Sequence, residues 1–66
     1  MEEVWSISFE VEGRSFEAVA MRRPFREGFE VHVHVDGEVL TFAEFGFGDS
    51  ALIEKARAMV GQHLKE

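Results

Sequence analysis

The sequence predicts an α+β fold: a two-layer, four-stranded antiparallel β-meander made of two hairpins, with one C-terminal helix packed on one face (β-β-β-β-α). Three observations predict it. Residues 29–42 form two alternating runs around Asp36-Gly37, the dipeptide that best suits a two-residue hairpin turn. Residues 4–22 repeat the arrangement around Glu12-Gly13. From about Ser50 to Lys65 the apolar period changes from two to the i, i+3, i+4 spacing of a helix. With 66 residues there is room for one core, so residues 1–66 form a single domain.

Strand one runs from Val4 to Val11, with Trp5, Ile7, Phe9 and Val11 facing the core. If Glu12 and Gly13 are the whole turn, Phe9 meets Phe16, Ile7 meets Ala18 and Trp5 meets Ala20, so apolar residues share one face. A three-residue loop would place Glu10 against Phe16 and mix the faces, so the two-residue turn is preferred. Strand two then extends from Arg14 to Met21 or Arg22. Pro24 and Gly28 bound an irregular loop, because Pro lacks a ladder N–H and Gly permits a turn back. Around Asp36-Gly37, Val33 meets Leu40 and Val31 meets Phe42, while His34 meets Val39 and His32 meets Thr41 on the other face. A joint that keeps both apolar faces together allows several registers two residues apart; one of them pairs Val19 with His32 and Glu17 with His34 and leaves residues 23–28 as the loop. Phe45 and Phe47 are expected to cover the end of the core.

Asp49 or Ser50 is the expected helix N-cap. Leu52, Ile53, Ala56, Met59, Val60, His63 and Leu64 make the apolar stripe. Glu54 and Arg57 can pair at i, i+3 on the outer side. Gly61, inside the helix, implies close approach to another backbone or early fraying.

Composition narrows the function. The chain has no cysteine, hence no disulfide, thiolate nucleophile or Cys-based zinc site. Met1 to Trp5 lacks the basic and then apolar stretches of a secretory signal, and no apolar run approaches the roughly 18–20 residues of a membrane span, so a cytoplasmic location is expected. A net charge of −6 argues against non-specific nucleic-acid binding and anionic membranes. No Ser-His-Asp set can be placed in one pocket, and a two-layer chain of this length offers little depth for a pocket of roughly 300 Å³. The chain is therefore expected not to be an enzyme. No cofactor and no particular small-molecule ligand is indicated.

One helix covers one face of the sheet, so function has to be sought on the other. That face carries Val4, Ser6, Ser8 and Glu10 from strand one, and Ser15, Glu17, Val19 and Met21 from strand two. Glu30, His32 and His34 follow from strand three, and Val39, Thr41 and Ala43 from strand four. A solvated antiparallel face should be mostly polar, and Val4, Val19, Met21 and Val39 depart from that. An apolar patch rimmed by Glu and Ser has the composition of a modest protein interface. Val4, Val19, Met21, His32, His34, Val39 and Thr41 are its candidate residues, with a second copy of the chain as the expected partner. Against this, scattered exposed apolar residues are normal, and β-branched residues suit strands regardless of binding.

His32 and His34 lie on one face, roughly 6–7 Å apart. With Glu17 across from His34 they make a candidate His₂-carboxylate metal set, suited to Zn, Cu or Ni. A plainer use is pH response, since His gains charge near about pH 6.5. Arg22, Arg23, Phe25 and Arg26 make a loop epitope that could grip a phosphate or an acidic peptide. Its bland alternative is a solvated loop balancing acids such as Glu27, with Phe25 tucked under the sheet edge.

The element order is similar to that of PUR repeats, single-stranded nucleic-acid-binding units of four antiparallel strands and a helix that associate in pairs. The resemblance is one of topology, and it implies pairing more than nucleic-acid binding. The open face here offers Glu10, Glu17 and Glu30, with no stacked aromatics and no Lys or Arg.

Overall fold

Two tight turns set the sheet. In the computed structural model, which describes residues 3–22, 27–45 and 48–66, Glu12 (φ 51°) and Gly13 (φ 78°) are both left-handed, as are Asp36 (φ 48°) and Gly37 (φ 85°). Positive φ at both central residues defines the type I′ hairpin, whose twist matches that of the flanking strands. The strands are β1 (Glu3–Val11), β2 (Arg14–Arg22), β3 (Phe29–Val35) and β4 (Glu38–Glu44), all antiparallel in the order β1-β2-β3-β4. The helix α1 (Asp49–Leu64) packs against the sheet.

Both hairpin registers hold, and β2 and β3 adopt the register that pairs Val19 with His32. Trp5 pairs with Ala20, Ile7 with Ala18 and Phe9 with Phe16. Val19 pairs with His32, and Val33 pairs with Leu40 and His32 with Thr41. Large residues on β1 thus lie beside alanines on β2. Under the helix, Phe9, Phe16, Ala18, Ala20, Phe29 and the valines 31, 33 and 35 are buried with Leu52, Ala56 and Val60. Each fully buried large side chain contributes about 1.5–3 kcal/mol relative to exposure. Trp5, Ile7 and Val11 are only partly covered, because β1 is an edge strand.

The helix starts at the far end of β4, where Lys55 Nζ donates to the Ala43 carbonyl at 3.0 Å. It ends beside the start of β4, where His63 Nε2 lies 3.4 Å from Glu38 Oε2. It therefore runs antiparallel to β4.

Several local expectations change. The N-cap is Gly48 (φ 96°), with no side-chain cap bond, in place of Asp49 or Ser50. The chain enters the helix from a left-handed glycine, which moves Asp49 into the first turn. There its carboxylate favours the helix dipole without capping an N–H. Arg57 does not pair with Glu54; its Nε donates to the Glu10 carbonyl at 3.2 Å. A Cβ added at Gly61 would meet only Val11 Cγ1, at 4.0 Å, and the helix continues to Leu64, so neither close approach nor fraying accounts for this glycine. Phe45 does not cover the core. β4 continues to Glu44 and carries Phe45 past the sheet end, where it is 64% exposed. Its ring lies against Gly28, which has φ 71° and no room for a Cβ. Phe47 lies outside the described residues.

Candidate interaction surface

The alternation that sends Phe9, Phe16, Val31 and Phe42 towards the helix sends their neighbours to the opposite side. Val4 (63% exposed) pairs with Met21 at the outer edge of β1, and Val39 (49% exposed) pairs with His34 on β4. Between them, Val19, Met21 and His32 are half-buried by their strand neighbours, and His34 and Thr41 are exposed. The seven candidate interface residues therefore share one surface, which no element among the described residues covers. Its described strand side chains include no Lys, Arg, Phe or Trp, and the exposed Phe45 lines a hollow with Met21, Glu30 and Ala43 at one end of it.

The histidines are placed as expected, but the three-residue metal set is not assembled. His32 Nε2 lies 3.5 Å from Glu30 Oε2, a neighbour two residues earlier on the same strand face. Glu17 and His34 are both exposed and lie one step beyond the last described β2–β3 pair, Ala18 with Val33. Among the described residues, no group of three or more His, Asp and Glu is arranged to hold a metal ion. Flat strands spread the carboxylates and imidazoles along a surface and do not converge them. A shallow hollow of about 460 Å³ is bounded by Glu30, His32, Thr41, Phe42 and Ala43. Its volume exceeds what the length of the chain suggested, but it is open to solvent.

Of the arginine-loop candidates, Arg22 falls among the described residues. Arg22 is the last residue of β2 and belongs to the sheet. Its guanidinium carbon lies 5.9 Å from the Trp5 ring centroid and 5.8 Å from that of Phe29. The two rings are themselves 5.3 Å apart. Arg22 thus covers the exposed end of an aromatic pair, a contact worth about 0.5–1 kcal/mol at a solvated site. Arg23, Phe25 and Arg26 lie outside the described residues.

Sequence reasoning missed the polar ties at the turns and edges. Arg14 Nη2 donates to Asp36 Oδ1 at 2.7 Å, joining the start of β2 to the second turn. This bond, followed by the opposite charge of the partner in each case, lowers the pKa of Asp36 and raises that of Arg14. The signal was available, since a meander brings both turns to one end of the sheet. Lys55 and Arg57 were also missed: each leaves the helix to bond a carbonyl of an edge strand, β4 and β1 respectively.

No helix among the described residues is long and apolar enough to cross a membrane. No family model matches the chain, and comparison with curated proteins and with solved structures finds no match.

Proposed function

We propose that this is a small, non-enzymatic, cytoplasmic domain that self-associates as a homodimer, through its open sheet face or an edge strand. One observation carries the reading: among the described residues the sheet has a helix on one side only, and the other side presents Val4 and Val39 exposed, with Val19 and Met21 half-buried between them. Small domains bury a modest share of their surface and gain most from a partner that covers such a face. Sedimentation across the micromolar range tests it. A reversible monomer–dimer equilibrium is expected, and a strict monomer at every concentration ends the proposal.

A second reading, a pH-responsive binding module, is favoured by the 3.5 Å approach of His32 to Glu30 within the same surface. Protonation of His32 would add a charge beside that carboxylate in the middle of the face. If His32→Gln leaves the association unchanged between pH 5 and pH 8 relative to the parent chain, this reading fails. Its metal-binding form fails if zinc or nickel stabilises the parent no more than a His32→Ala/His34→Ala variant.

A further inference from the structure

We infer that two copies of the chain associate by antiparallel pairing of β1 with β1, with Ser6 at the two-fold axis, joining two four-stranded sheets into one. The inference rests on the self-association reading and selects its route. Residues flanking a two-residue turn exchange both backbone hydrogen bonds, and bonded and non-bonded pairs then alternate. Val11 and Arg14 flank the first turn. The N–H and C=O groups of Glu10, Ser8, Ser6 and Val4 therefore point away from β2, along the free edge. The Glu10 carbonyl already accepts from Arg57 at 3.2 Å, which leaves Val4, Ser6 and Ser8 as an uninterrupted row without a partner among the described residues.

That row lacks the usual protection. Natural sheets blunt their edges with Lys, Pro, bulges or short strands. β1 has nine residues, pairs continuously with β2 without a bulge, and contains no Lys, Arg or Pro. The other edge offers a shorter row. By the same alternation Val39, Thr41 and Ala43 point outward on β4, and the Ala43 carbonyl is taken by Lys55 at 3.0 Å, which leaves two residues against the three of β1.

The register follows from what each partner can satisfy. Antiparallel bonding requires outward-pointing residues to face one another. Placing Ser6 opposite Ser6 puts Val4 opposite Ser8 on both sides of the axis. All free backbone groups of the three residues are then paired, and the bond from Arg57 to Glu10 is kept. A shift that puts Ser6 opposite Ser8 would place Val4 against Glu10 and compete with Arg57. On the helix side, the Ser6-centred register brings Trp5 beside Ile7 of the other copy. Both are partly buried at the margin of the core, so pairing covers them and makes the two cores continuous. The occupant is accordingly a second copy, because in the Ser6-centred register this strand complements itself.

Amide exchange and sedimentation on the intact chain test the inference together. At a concentration where the chain sediments as a dimer, the amides of Val4, Ser6 and Ser8 are expected to exchange at least about tenfold more slowly than in dilute monomer, and those of Val39 and Thr41 are expected not to change. Ser6→Pro removes the central N–H from the free edge and is expected to abolish the dimer, while Val19→Lys, in the middle of the open face, leaves it intact. A dimer whose Val4, Ser6 and Ser8 amides exchange as fast as in the monomer overturns edge pairing but leaves self-association standing. So does a dimer lost in Val19→Lys and kept in Ser6→Pro. A chain that is monomeric throughout overturns both. If Ser6→Pro does not fold, the exchange rates of the parent chain still decide.

Discussion

Asp36 occupies a left-handed turn position (φ 48°) and accepts from Arg14 Nη2 at 2.7 Å, so one residue fixes the second turn and ties it to the start of β2. The arginine, by hydrogen bond first and by charge second, holds the Asp36 carboxyl below its ordinary value of 3.8. A carboxyl whose pKa is lower folded than unfolded adds stability above the unfolded value and loses it as pH falls through the folded one. The stability difference between the parent and Asp36→Asn is therefore expected to be constant from pH 7 down to about 5 and to vanish below the ordinary carboxylate range. Urea titrations at pH 7, 5, 3.5 and 2.5 measure it. Both sites are solvent-exposed, so high salt should reduce the difference as well. A difference that grows on acidification would mean that the ion pair does not set this pKa.

At the scale of elements, the two hairpins and the helix were legible because each rests on a local rule. Glu12-Gly13 and Asp36-Gly37 can supply two consecutive positive φ angles, and only two-residue turns keep Phe9 with Phe16 and Val31 with Phe42 on one face. Parity narrowed the β2–β3 joint to registers two residues apart, of which the one pairing Val19 with His32 forms. What the sequence could not reveal depended on where elements end. Helix entry through Gly48, Phe45 beyond the end of β4, and Arg22 over Trp5 and Phe29 are set by tertiary placement. The two internal glycines that structure separates from each other make the point measurable. Gly61 has helical geometry, and an added Cβ would meet only Val11 Cγ1 at 4.0 Å, so Gly61→Ala should stabilise the fold by up to about 1 kcal/mol. Gly28 has φ 71°, and a Cβ there would lie 2.6 Å from Phe45 Cδ1 and 2.7 Å from the Glu44 carbonyl oxygen. Gly28→Ala should cost about 1–3 kcal/mol through left-handed strain and overpacking. Thermal melting of the two variants at low concentration should move in opposite directions. A loss of stability in Gly61→Ala would show that this glycine is needed for something other than space.

The whole molecule sets two forces against each other. A partner that binds only the native chain stabilises it by mass action. A chain of net charge −6, however, repels its own copy. Its described basic side chains near the edges are already engaged, Lys55 with Ala43 and Arg57 with Glu10, and do not reach out to a partner. Backbone pairing along Val4, Ser6 and Ser8 suits such a chain because it needs no complementary charge, and the strand between Glu3 and Glu10 carries none. A melting temperature that depends on both concentration and salt follows. Each tenfold rise in chain concentration changes dimer stability by about 1.4 kcal/mol, shared between two chains, which for a domain of this size raises Tm by roughly 3–5 °C. Raising salt from about 10 to 200 mM shortens the screening length from about 30 Å to under 10 Å. It should strengthen association in the parent chain and shift the onset of the concentration dependence to lower concentration. In Ser6→Pro the melting temperature should be lower at high concentration and independent of it. A parent chain whose Tm is the same at 1 and 100 μM in high salt has no native-state partner of its own kind, which would end both edge pairing and self-association.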